Sequence, residues 1–208
     1  MSILMQLIWF ALLGPAVHFY SVPSTSMSET LLIGDMFVGY EDAYVAPVGS
    51  TDPAPSPQRG DVVVVQPPGD GSVYVKRVIG LPGDRIQMIG GELAINGVTV
   101  PRERLADDPS PDLPPGARRF AETLPNGRTY VTLDVEEGGF LDDTPEFDVP
   151  PDHYFLLGDN RDNSVDSRMP KFGMIARADF VAKAGTIIFS ISEEEGEVRL
   201  DRFFRQIQ

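Results

Sequence analysis

Lys76 lies within Val73-Tyr74-Val75-Lys76-Arg77-Val78-Ile79-Gly80, a run whose composition reads as a β-strand. The chain has only three lysines, Lys76, Lys171 and Lys183. A lysine in an apolar strand is costly to bury as a cation, and burial lowers the pKa of its amine. Fifty residues upstream comes Pro23-Ser24-Thr25-Ser26-Met27, a serine-rich turn that follows an apolar N-terminal segment. A serine beside a neutral lysine forms a nucleophile–base pair that needs no histidine. The chemistry available to it is peptide hydrolysis, with the amine taking the hydroxyl proton as the oxygen attacks. A free lysine, with a pKa of about 10.4, is nearly all cation at neutral pH. Lowering that value by about three pH units corresponds to roughly 4 kcal/mol, and Tyr74, Val75, Val78 and neighbouring strands are a plausible source.

Composition narrows the alternatives. The 208 residues carry a formal net charge of −14 and no basic stripe, and Lys and Arg are absent before Arg59. Nucleic-acid binding is therefore not expected. There is no cysteine, which removes a thiol nucleophile, a disulfide framework and a Cys-based zinc site. The two histidines, His18 and His153, lie in an apolar segment and a Pro-Pro-Asp-His turn. A Ser-His-Asp triad is not expected, and no Gly-x-Ser-x-Gly elbow is present.

The elements that must position the pair follow from pattern. Ile3 to Val17 is apolar apart from Gln6, Gly14 and Pro15, and His18, Phe19 and Tyr20 extend it as interfacial residues. Residues 1–20 are read as an N-terminal membrane helix near the lower length limit. No basic residue flanks it, so charge does not fix its orientation. Val62-Val63-Val64-Val65 is a β-branched run that wants both faces covered. Arg85 to Val100 reads as a hairpin around Asn96-Gly97. Tyr154-Phe155-Leu156-Leu157 and Ala182 to Ile191 read as core strands, and Arg199 to Arg205 as a short helix or end strand. Glu193-Glu194-Glu195 reads as a solvated turn. Residues 101–150, dense in Pro, Asp and Glu, read as an inserted, loop-rich β subdomain between core segments 21–100 and 151–208. The expected class is mainly β, an antiparallel catalytic sheet with that small insert and the N-terminal helix.

Four segments carry a resemblance. They are Pro23-Ser24-Thr25-Ser26-Met27 with Thr30-Leu31, Arg59-Gly60-Asp61-Val62-Val63-Val64, Tyr74 to Asp84, and Gly158-Asp159-Asn160-Arg161-Asp162-Asn163-Ser164-Val165-Asp166-Ser167-Arg168. In content, order and spacing they resemble the type I signal peptidases (bacterial leader peptidases). The resemblance implies Ser26 as nucleophile and Lys76 as general base. It implies Ser24, with the Ser26 backbone N–H, as oxyanion donors, and Ser164 as the residue that orients the lysine. Asp166 and Arg168 are expected as a supporting ion pair, and Arg77 as a supporting residue on the opposite strand face from Lys76. Met27, Leu31, Ile33 and Met36 are expected to wall a substrate pocket or form a membrane-touching patch.

The resemblance also implies an enzyme that cuts signal peptides from exported preproteins after an Ala-x-Ala pattern. It would work as a single-pass protein of the bacterial inner membrane, monomeric, with its catalytic domain extracytoplasmic and no cofactor. The Asp/Asn-rich motif fails the calcium-loop pattern, since Ser167 and Gly173 fall where Gly and Glu are needed, so no metal is expected. One departure stands out. The family pattern Ser-Met-x-Pro-Thr-Leu is here Ser26-Met27-Ser28-Glu29-Thr30-Leu31, and Glu29 in place of proline is expected to add flexibility and negative charge. That departure leaves room for an alternative, an impaired relative that binds exported chains without cleaving them.

Overall fold

The structure is a computed structural model, and it describes residues 17–46, 49, 51–69, 71–108, 110, 112–192 and 196–208. Residues 1–16 of the expected membrane helix and the Glu193–Glu195 turn lie outside the described residues. Among the described residues no helix is long and apolar enough to cross a membrane. The end of the expected helix is strand instead. Val17–Ser21 forms β1, paired antiparallel with Asp35–Tyr40, β2. Of the aromatic residues assigned to an interface, Tyr20 packs inward, its ring stacked on Phe37 at 5.5 Å, while Phe19 is exposed.

Twelve further strands follow among the described residues. They are β3 (Val62–Val65), β4 (Tyr74–Gly80), β5 (Arg85–Ile89), β6 (Glu92–Ile95), β7 (Val98–Thr99) and β8 (Arg102–Arg104). Then come β9 (Arg118–Thr123), β10 (Thr129–Asp134), β11 (Phe147–Asp148), β12 (His153–Leu157), β13 (Ile175–Ala176) and β14 (Phe180–Ser190). The fold is mainly β and antiparallel, as expected. The principal sheet runs β1-β2-β14-β3-β4-β12-β13.

The valine run shows why the sheet is covered on both sides. All four residues of β3 are buried, Val62 and Val64 in one apolar cluster with Met27, Leu31 and Phe37, Val63 and Val65 in another with Val78, Tyr154 and Leu156. A third cluster, around Ile79, Ile86, Leu93, Leu124 and Phe155, joins this sheet to the four-stranded sheet β11-β5-β6-β7. Asn96 and Gly97 turn the β6–β7 hairpin with φ of 55° and 77°, the left-handed pair that a tight hairpin requires. A separate hairpin joins β5 to β6, so the expected single hairpin is a three-stranded meander.

Residues 101–150 hold a three-stranded sheet, β10-β9-β8. They are not detached from the core, because β11 pairs with β5 and Leu133 bridges to Asn160. The tail forms a 3₁₀ turn at Leu200–Arg202, where the Arg202 guanidinium grips Asp35 at 2.9 and 2.5 Å.

Candidate active site

Ser26 sits in a 3₁₀ turn, Thr25–Met27, closed by the Ser28 N–H donating to the Thr25 carbonyl at 3.0 Å. The fully buried Met27 anchors that turn in the core, and the Leu31 N–H donates to the Met27 carbonyl at 2.7 Å. The other partner arrives from β4, where Lys76 pairs with Val63. β4 is separated from β2 by β14 and β3 in the sheet order, so only a curled sheet lets the two meet.

They do meet. The Lys76 ammonium donates to Ser26 Oγ at 2.8 Å and to the Val75 carbonyl at 2.9 Å. Lys76 is 2% exposed. That burial lowers its pKa from 10.5 to about 8, against the opposing pull of Asp166 and Asp159, with the Arg168 charge adding to the lowering. When the lysine is neutral, the same 2.8 Å lets Nζ accept the Ser26 proton. Ser24 Oγ stands 3.3 Å from Ser26 Oγ.

Arg77 leaves the opposite face of β4, as strand alternation requires. Its Nε and Nη2 donate to the two oxygens of Asp159 at 2.8 and 2.7 Å, and both side chains are buried. Its Nη1 donates to the carbonyls of Gly60 and Gln208, and its guanidinium lies 4.2 Å from the Tyr130 ring centre. Asp159 also accepts from the Thr30 hydroxyl at 2.5 Å. Thr30, three residues beyond the Ser26 turn, is thus joined to the buried pair of Arg77 and Asp159.

That loop clamps the serine. The Asn160 N–H donates to the Ser26 carbonyl at 3.1 Å, Asn160 Nδ2 to the Thr25 carbonyl at 3.2 Å, and Asn163 Nδ2 to Thr25 Oγ1 at 2.6 Å. Asp166 and Arg168 form a fully buried pair, and Asp166 also accepts the Gly158 N–H at 3.1 Å. This holds the loop to the end of β12. Ser164 behaves differently from expectation. It lines the same cleft, but among the described residues its buried hydroxyl has no hydrogen-bond partner, Lys76 included. Gly158 explains how closely it packs, because a Cβ there would lie 2.2 Å from Ser164 Oγ and 2.6 Å from the Ser26 carbonyl oxygen.

Ser24, Ser26, Lys76 and Ser164 open onto one cleft of about 1030 Å³. Of the expected pocket walls, Met27 and Ile33 line it. Leu31 does not, being fully buried in the core with Phe37 and Val62. Met36 does not line it either. The alternation of β2 buries Asp35 and Phe37 and turns Met36 outward. Sequence reasoning missed the other walls, Tyr20 and Val22 from the β1 side, Val73 and Val75 from the β4 side, and Phe140 and Leu141 from the 101–150 segment. Their apolar types were a signal, but only the fold shows which strand ends converge. Among the described residues no group of His, Asp or Glu could hold a metal ion.

A serine hydroxyl against a buried lysine amine lies at the mouth of an apolar cleft on a β scaffold. A model of the family "Signal peptidase, peptidase S26" matches residues 1–189, and the chain belongs to that family. It is 38% identical over 192 residues to signal peptidase I of Rickettsia canadensis (strain McKiel), covering 82% of this chain and 71% of that protein. The same figures hold for signal peptidase I of Rickettsia prowazekii (strain Madrid E). The crystal structure of a signal peptidase I from Enterococcus faecalis V583 is similar at 27% identity and a TM-score of 0.37, covering 62% of this chain and 97% of that one.

Proposed function

We propose that this chain removes N-terminal signal peptides from exported preproteins, with Ser26 as nucleophile and Lys76 as general base. The observation that carries the reading is the 2.8 Å approach of Lys76 Nζ to Ser26 Oγ at an apolar cleft. With the amine pKa near 8, about one lysine in ten is neutral at pH 7. Ser26 Oγ attacks the scissile carbonyl carbon while its proton passes to Nζ. The resulting oxyanion is met by the Ser26 N–H and the Ser24 hydroxyl. Collapse breaks the C–N bond, Lys76 gives its proton to the leaving amine, and an acyl-Ser26 ester remains. Water, deprotonated by Lys76, then releases the signal peptide and restores Ser26.

The apolar walls suit an extended peptide with small side chains beside the cut. Asp166 and Arg168 support the Ser164 loop, and Ser164 acts from beside the lysine rather than through a hydrogen bond to it. Residues before Val17 anchor the chain in the bacterial inner membrane in a single pass, with the catalytic domain extracytoplasmic and monomeric. The test is cleavage of an Ala-x-Ala preprotein in detergent micelles. Ser26→Ala and Lys76→Ala are each expected to lose about 10⁴-fold or more in kcat. A folded Lys76→Ala protein that retained the native rate would reject the assignment.

A further inference from the structure

Glu29 stands where the resembling family carries proline, and its backbone explains why proline is absent. Its φ is +83°, in the left-handed region, whereas the proline ring fixes φ near −65°. A non-glycine residue holds that conformation only where its surroundings over-determine it. The surroundings here are a two-pronged ion pair. The Arg119 guanidinium donates through Nε to Glu29 Oε1 and through Nη2 to Oε2, the latter at 3.0 Å. The two side chains are 10% and 21% exposed. The flexibility expected from losing proline is therefore not what the chain has.

The pair closes a ring of contacts. Arg119 on β9 pairs in register with Leu133 on β10. Leu133 bridges to the catalytic loop, accepting the Arg161 N–H at 2.9 Å and donating to the Asp159 carbonyl at 2.8 Å. Between those two residues, the Asn160 N–H donates to the Ser26 carbonyl. The circuit Ser26, Asn160, Leu133, Arg119, Glu29 returns to the nucleophile turn three residues after it left.

We propose that Glu29 and Arg119 are positioning residues for Ser26, so that the 101–150 segment braces the nucleophile from both sides. This rests on Ser26 being the nucleophile. Neither residue lines the cleft, so the pair acts on the geometry of the hydroxyl and not on substrate contact. Without the ion pair the Ser28–Thr30 backbone is no longer tethered to β9, whether residue 29 is strained or is glycine. Ser26 Oγ then drifts from Lys76 Nζ, and misplacements of about 1 Å cost up to about 100-fold in rate.

The experiment measures preprotein cleavage by the full chain in detergent micelles, with kcat, KM and Tm for each variant. Glu29→Gln and Arg119→Gln are each expected to lower kcat about tenfold, with KM within about twofold. The double variant is expected to be no worse than either single, because both break the same pair. Arg119→Lys keeps the charge and recovers part of the rate. Glu29→Gly separates positioning from stability. Glycine accepts the left-handed φ, so Tm holds or rises while kcat still falls. Native kcat in Glu29→Gly and Glu29→Gln, or losses that simply follow Tm across the set, would overturn the proposal. A folded native chain that cleaved nothing would overturn the peptidase reading, and the brace with it.

Discussion

Replacing Lys76 with methionine is expected to stabilise the protein, in a way that depends on pH. Burial moves the amine from 10.5 to about 8. At 1.36 kcal/mol per pH unit, that corresponds to about 3 kcal/mol of cost for holding the cation in the fold. Lys76 is 2% exposed, so solvent screening does little to reduce this figure. The sign follows from proton counting. Between about pH 8 and 10.5 the unfolded chain holds the proton and the folded chain has released it, so stability rises with pH across that window. Below pH 8 both states are protonated and the full cost is present. Methionine has a similar unbranched shape and no charge. The Lys76→Met protein should therefore exceed the native one most at pH 7, and the gap should shrink by about 2–3 kcal/mol on reaching pH 10. Lost contacts, such as the bond to the Val75 carbonyl, offset the gap equally at every pH, so its change with pH is the clean quantity. Urea unfolding of both full-length proteins in detergent micelles, at pH 7 and pH 10, measures it. A gap that did not change with pH would mean that Lys76 titrates alike in both states, which would refute the buried-amine argument.

Because the base must be neutral, kcat/KM is expected to rise with pH through about 8 and level off above it, and a flat profile from pH 6 to 9 would contradict this. Gly158→Ala places a Cβ 2.2 Å from Ser164 Oγ and 2.6 Å from the Ser26 carbonyl oxygen, so it should lower Tm and cut cleavage by about 100-fold. Glu29→Pro, which restores the family pattern, should destabilise by about 3 kcal/mol, because the ring cannot adopt a φ of +83°. A urea midpoint equal to that of the native protein would show that this turn is free to take another conformation.

The chemistry was more legible than its surroundings, for physical reasons. Lys76 could be picked out because a lone lysine in an apolar strand has few ways to be satisfied, and Ser26 because the motifs around it are long. The division of Lys76 and Arg77 between two strand faces follows from period-two alternation alone. Met36 was misplaced as a wall because the residues from Met27 to Asp35 set the phase at which the chain enters β2, and one position of phase exchanges inside for outside, while the turn after Met27 carries Leu31 into the core. Arg77 and Asp159 lie 82 residues apart, and Glu29 and Arg119 lie 90 apart. No local pattern foretells either pair. Charge count suggested that Glu29 would add net negative charge near the site, yet it is matched by a guanidinium from the segment read as an inserted, loop-rich β subdomain.

The position of β14 bears on when the enzyme comes into being. Among the described residues it is the last strand, yet it sits between β2 and β3 near the middle of the principal sheet. While the chain is being made, β2 and β3 have no neighbour to join them until residue 190 has emerged. The turn carrying Ser26 and the strand carrying Lys76 lie on either side of that gap. Pairings of such long range close slowly, after most of the chain-entropy cost has been met. A truncated or half-folded chain has Ser26 and Lys76 but not the sheet that brings them together, so their 2.8 Å approach forms only as folding finishes.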